Sequence, residues 1–185
     1  VPPRDPDANP NLIDLTDHYT AALSETWPTG FPGNNLASLP SGIHVLAGVE
    51  FDLRGVIQLS GLTLGDRRFP ESRKGIRFDR ICRRLHFLHA SVFGSSTDQA
   101  VEIGRYTIHY RAGPEQAIPI VYSKDVHDWF RITEVKDAMI AWTGLNRATA
   151  VRGLSIRLFK SSWTNPRPET PIETIDFVSA MANPA

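Results

Sequence analysis

The chain has 185 residues, 41% of them hydrophobic, with 20 basic against 20 acidic side chains and one cysteine, Cys82. That length and hydrophobic content describe one domain with a real core. They exclude an intrachain disulfide, a global field drawing the protein to nucleic acid or an anionic membrane, and any apolar run near the roughly 20 residues that span a bilayer. The 14 prolines and 13 glycines suit a loop-rich β protein. The chain opens Val1-Pro2-Pro3 with no initiating Met and no signal peptide. This reads as a processed mature chain or a domain cut from something longer.

Residues 1–11 carry four prolines and read as an extended leader or linker. Asn11 to Thr16 is predicted as a first short strand and His18 to Leu23 as a helical turn. Residues 24–42, rich in proline, glycine and asparagine, form a long irregular loop around Trp27 and Phe31. From there the sequence alternates apolar and polar residues. Val49-Glu50-Phe51-Asp52-Leu53-Arg54 is the clearest case, and only an extended strand sorts it into a dry and a wet face. Strands are predicted near 43–47, 49–54, 56–60, 76–80, 83–90, 102–111, 116–122, 137–142, 152–160 and 172–179. Arg111-Ala112-Gly113-Pro114 marks a hairpin turn, and Pro119 marks an edge strand or a bulge. No segment gives an apolar face at helical spacing over three turns. About ten strands with frequent turns define an all-β, antiparallel β-sandwich over 12–180, with 181–185 as a C-terminal tail.

The C-terminal residues carry a resemblance. Trp163-Thr164-Asn165-Pro166-Arg167-Pro168, followed by Ile172-Glu173-Thr174-Ile175-Asp176-Phe177, is similar to the closing strand of galactose-binding-like jelly-roll domains. It resembles in particular the accessory domains of large multidomain bacterial proteins of the planctomycete type. Residues 48–59, Arg83 to Ala90, Ile103 to Tyr106 and Ile120 to Tyr122 fit the same picture. The resemblance implies a jelly roll in an exported protein, extracellular or periplasmic, and leaves the ligand open, because fold alone does not settle function. Domains of this class often hold a structural Ca²⁺. Asp14, Asp17, Glu173 and Asp176 would be available if the first and last strands paired, although solvation of these acids is the preferred reading.

Four tryptophans stand out in a chain of this size. A sugar-binding module stacks the apolar face of a pyranose on an open ring and fixes its hydroxyls with nearby polar groups. Trp27 and Trp129 lie in loops and are the candidate platforms, with Arg131 and Asn146 as hydrogen-bonding groups. Trp142 and Trp163 read as packing residues. The stretch 67–84 holds Arg67, Arg68, Arg73, Lys74, Arg77, Arg80, Arg83 and Arg84 against Glu71 and Asp79. An anion patch is one reading. Pairing with the N-terminal acids Asp5, Asp7, Asp14, Asp17 and Glu25 is the preferred one. His86 and His89 stand three apart on one strand, face opposite ways and share no metal. His127 sits in Asp125-Val126-His127-Asp128, which reads as a hydrogen-bonded loop rather than a metal site, and Cys82 reads as a small buried residue.

No nucleophile elbow, P-loop or zincin motif is present. The sequence therefore points to a non-catalytic carbohydrate-binding or adhesion module of a larger exported protein, with glycan and neighbouring domains as partners and no cofactor. The alternatives are a protein-interaction scaffold and a hydrolase or lyase on acidic polysaccharide. A lyase would draw on Arg105, Tyr106 and His109, of which Tyr106 and His109 face opposite ways.

Overall fold

The computed structural model describes residues 1–26, 32–63, 69–94, 99–131 and 135–182. Its strands in chain order are β1 (Ala21–Ala22), β2 (Gly42–Leu46), β3 (Val49–Leu53), β4 (Gly55–Val56), β5 (Ser72–Arg80), β6 (Arg84–His89), β7 (Val101–Tyr110), β8 (Gln116–Tyr122), β9 (Ala138–Gly144), β10 (Ile156–Thr164) and β11 (Ile172–Ser179). They make an all-β sandwich. A four-stranded sheet has the order β5-β11-β7-β8, and a three-stranded sheet has the order β6-β10-β9. Every strand pair is antiparallel. The hairpin β2-β3 and the short pair β1-β4 flank the two sheets. No helix among the described residues is long and apolar enough to cross a membrane.

The alternation in the sequence builds the core. Ile76 and Phe78 of β5, Ile108 and Tyr110 of β7, and Ile172 and Ile175 of β11 come from one sheet and meet Leu85 of β6 from the other. Phe87 of β6 stacks on Tyr106 of β7, with ring centroids 4.0 Å apart, so these rings tie the two sheets together. The turn expected at residues 111–114 joins β7 to β8, with Gly113 at φ 98°.

Several boundaries differ from the sequence reading, each for a local reason. Residues 11–16 form no strand. The Asp14 carboxylate accepts from the Thr16 amide at 3.0 Å and from its hydroxyl at 2.5 Å, which bends the chain into a 3-10 turn at Thr16–His18. The turn predicted at 18–23 is instead partly extended, because the Thr20 amide donates to the Val56 carbonyl and Ala21 and Ala22 pair with Val56 and Gly55. The strand expected at 152–160 runs from Ile156 to Thr164. Asn146 and Thr149 form a reciprocal capping box that winds Arg147–Ala150 into a short helix, α1, and Gly153 at φ 65° ends the excursion. Leu154 is consequently exposed, while Ile156 and Leu158 are buried. Trp163 lies inside β10, opposite Leu85, so the proline turn begins at Asn165 rather than at the tryptophan.

The expected wet face of β3 is the largest correction. Leu53 is buried as the alternation requires, but Arg54 is only 2% exposed. The N-terminal segment covers it. Arg54 donates to both carboxylate oxygens of Asp52 at 3.0 and 2.9 Å, to Asp14 at 3.0 Å, to the Thr16 hydroxyl at 2.8 Å and to the Pro2 carbonyl at 3.2 Å. Arg4 adds a second cation, 3.4 Å from Asp14, and Asn9 donates to Glu50 at 2.9 Å. Residues 1–16 are thus strapped onto β3.

Candidate functional site: an apolar cavity inside the sandwich

Trp129 does not present the open ring expected of a sugar platform. Trp129 is 1% exposed, packed against Val92, Ile156 and Leu158 in the core, so neither face of its ring is open to a sugar. Its backbone is also committed, the amide to the Ser91 carbonyl at 2.9 Å and the carbonyl to the Arg157 amide at 2.8 Å. Asn146 is buried. It caps α1 through Thr149 and donates to the Asn34 carboxamide oxygen and the Asn35 carbonyl, both at 3.0 Å. These bonds tie the 34–35 loop to α1 and leave the side chain no free donor. Arg131 is half-buried and its amide donates to the Asp128 carbonyl at 2.9 Å. Trp27 lies outside the described residues, as do Arg67 and Arg68.

The remaining basic stretch does not pair with the N-terminal acids. Arg77 pairs with Asp79 on its own strand at 2.8 Å, and Arg73 donates to the His18 carbonyl at 3.2 Å. Asp14 is taken by Arg4 and Arg54 instead. The four acids considered for calcium are not gathered. β11 pairs with β5 and β7 rather than with the N-terminal segment. Asp176 accepts from the Gly75 amide at 2.8 Å and lies 3.1 Å from His109. Among the described residues no cluster of three or more His, Cys, Asp or Glu is arranged for a metal.

The histidines have separate tasks. His86 Nδ1 meets the Ser162 hydroxyl at 2.7 Å, and His89 Nε2 donates to the Asp125 carbonyl at 3.2 Å. Burial holds His89 well below its ordinary value, at about 4, so the ring is neutral near pH 7. In the 125–128 loop the carboxylates act as local acceptors, Asp125 for the Val121 amide and Asp128 for the Gly94 and Phe130 amides. His127 is buried against Tyr122, with ring centroids 4.5 Å apart. Cys82 is half-buried, and burial raises its thiol pKa.

The structure shows instead a cavity of about 550 Å³ inside the sandwich. One wall is β6, from Leu85 to His89. Tyr106, Ile175 and Phe177 of the four-stranded sheet form another, and Leu12, Ile13 and Tyr19 of the N-terminal segment close a third side. Trp129 reaches the same space from the core. Asn9, Asn11, Glu50 and Arg84 bring polar groups to the wall. Tyr19 joins the cavity to the ion network, since Arg54 lies 5.6 Å from its ring centroid. Gly55 permits that placement, because a Cβ there would stand 2.7 Å from Tyr19 Cγ. Burial pushes the Tyr19 hydroxyl up to about 12.

Sequence reasoning missed this site. Its wall residues read individually as ordinary core positions, and only the pairing of strands shows that they surround a space rather than fill it. No family model matches the chain, and no curated protein or solved structure matches it.

Proposed function

We propose that this all-β sandwich is a non-catalytic binding module that holds a small, largely apolar molecule in its interior. The observation that carries this reading is the cavity of about 550 Å³. Small-molecule sites occupy roughly 300–1,000 Å³ and are mostly apolar with a few placed polar groups. Protein interiors are otherwise close-packed. Water is a poor filler where the walls are leucine, isoleucine and phenylalanine. An apolar occupant would supply its own burial energy against these walls.

The reading departs from a glycan platform, because the described tryptophan proposed for stacking is closed and the asparagine beside it is committed. It also needs no catalytic group, in keeping with a binding module.

The test is a titration with the uncharged fluorophore N-phenyl-1-naphthylamine, read by energy transfer from Trp129. Saturable binding at one site is expected. Leu88→Phe fills part of the space and should weaken that binding at least tenfold while leaving the melting temperature unchanged or raised. Absence of saturable binding, together with a melting temperature lowered by the larger side chain, would show that the space is closed to ligands and would overturn the proposal.

A further inference from the structure

We infer that the occupant is an uncharged amphiphile, an alcohol or ketone on an apolar body, whose oxygen hydrogen-bonds to the Tyr106 hydroxyl; this rests on the cavity being a binding site. The Tyr106 ring is clasped from both sides. Phe87 stacks on it at 4.0 Å with 9° between the planes, and Phe177 lies at 5.0 Å and 26°. The clasp fixes where the hydroxyl sits. That hydroxyl makes no hydrogen bond to any described residue, and burial alone raises its pKa, with no hydrogen bond or charge contributing. It therefore stays protonated and able to donate as well as accept.

The Tyr106 hydroxyl, with no partner among the described residues, leaves a donor and an acceptor open. Tyr106 lines the cavity and its hydroxyl is not closed off from accessible surface, so a ligand oxygen would satisfy it. His89 also lines the cavity and has an unpaired Nδ1, but that atom is shut off from any accessible surface. Tyr106 is thus a polar contact that the cavity offers to an occupant.

The surroundings select against charge. His89 is neutral and donates to a backbone carbonyl. Asp52 is already held by Arg54. Arg84, the cavity's basic side chain, is exposed to solvent. A carboxylate placed at Tyr106 would lose its hydration and gain one hydrogen bond with no counter-ion, and an ammonium would fare no better. A hydroxyl or carbonyl oxygen needs only the single partner that the site supplies.

The experiment displaces N-phenyl-1-naphthylamine at pH 7.5 with 1-dodecanol, 2-dodecanone, dodecanoate and 1-chlorododecane, in the wild type and in Tyr106→Phe. The alcohol and the ketone should compete at least about tenfold better than dodecanoate. Tyr106→Phe should weaken both by about fivefold, the worth of one hydrogen bond, while 1-chlorododecane is unaffected. Melting curves confirm that the variant is folded. Equal competition by alcohol and carboxylate, or an alcohol affinity untouched by Tyr106→Phe, would overturn the head-group assignment and leave the cavity reading standing. If the wild type binds neither the fluorophore nor any of the four chains, both fall.

Discussion

Two buried regions meet at Tyr19 and follow opposite rules. The knot around Arg54 is polar and complete. Its guanidinium meets two carboxylates, a hydroxyl and a backbone carbonyl, and its side chain is 2% exposed. The cavity on the other side of Tyr19 is apolar and incomplete, with room for about 550 Å³ and a tyrosine hydroxyl that nothing satisfies. A protein that finishes one interior with five hydrogen bonds and leaves its neighbour open is using the two differently. The knot holds the N-terminal segment as a wall, and the cavity lies behind that wall.

The largest expected effect breaks the knot. Arg54→Met removes the cation and leaves Asp52, with a side chain only 5% exposed, without its main partner. Stranding one member of a buried pair costs about 3–5 kcal/mol, and urea denaturation should show a loss of that size. Because Leu12, Ile13 and Tyr19 wall the cavity, the same variant should also bind the apolar fluorophore with altered affinity. A loss under 1 kcal/mol would mean that the strap is held by packing alone.

The next effect belongs to the cavity side and is driven by pH. His89 has a folded-state pKa of about 4 against an ordinary 6.5, because burial disfavours its charged form. The stabilising contribution is therefore complete above about pH 6.5 and is lost as pH falls toward 4. A shift of this size corresponds to on the order of 3 kcal/mol. Asp125, whose carboxyl is raised by burial, acts in the opposite sense. The clean measurement is the difference between wild type and His89→Gln in urea unfolding from pH 7 to 4.5. The variant should show the flatter dependence, and parallel curves would contradict a buried neutral His89.

The contrast between the two regions also explains what the sequence could and could not disclose. Alternation in 49–53 and 172–179 located β3 and β11, because a strand's two-residue period depends only on neighbours in the chain. The same alternation misplaced Arg54. It assigns a face to each side chain, but it cannot know that residues 1–16 will return and cover that face. The Asn146–Thr149 box lies in the sequence as a cap spanning four residues, yet the surrounding β pattern outweighs it and the asparagine reads as a ligand group. Trp129 failed for a different reason. Its position in a loop suggested exposure, whereas the ring packs against Val92, Ile156 and Leu158 in the core. The cavity was invisible because Phe87, Tyr106 and Phe177 lie on three strands far apart in sequence, and a void is a property of their packing rather than of any one of them.

A smaller effect tests the rim of the knot. Burial works to raise the Asp14 carboxyl, but hydrogen bonds from Thr16, the nearby Arg4 charge and a bond from Arg54 outweigh it and hold the group at about 2. With a folded pKa below the ordinary 3.8, its contribution is present above about pH 4 and is lost as pH falls toward 2. Asp14 is 54% exposed, so solvent screening limits the contribution to about 1 kcal/mol or less. Asp14→Asn should reduce stability by that amount at pH 7 and converge with wild type at pH 2. Failure to converge would assign the residue's effect to its turn geometry rather than to its charge.

The finest test sets two tyrosines of the same strand against each other. Tyr110 donates to Asn165 at 2.5 Å, and Asn165 is a hub whose carboxamide also accepts from the Arg167 amide at 2.9 Å and donates to the Cys82 carbonyl at 2.9 Å. Tyr110→Phe removes one bond from a buried, satisfied network, so it should cost about 1–1.5 kcal/mol. Tyr106 is four residues away and stacks on Phe87, but its hydroxyl has no described partner. Tyr106→Phe should therefore change the stability of the ligand-free protein by less than about 0.5 kcal/mol, because no hydrogen bond to a described residue is lost. Identical chemistry at two positions then gives a structural penalty at one and none at the other. Adding a saturating neutral ligand should separate them further, since bound ligand stabilises the folded state in proportion to its affinity. Wild type should gain more melting temperature from 1-dodecanol than Tyr106→Phe does, while Tyr110→Phe gains as much as wild type. An equal gain for all three would place the ligand's oxygen away from Tyr106.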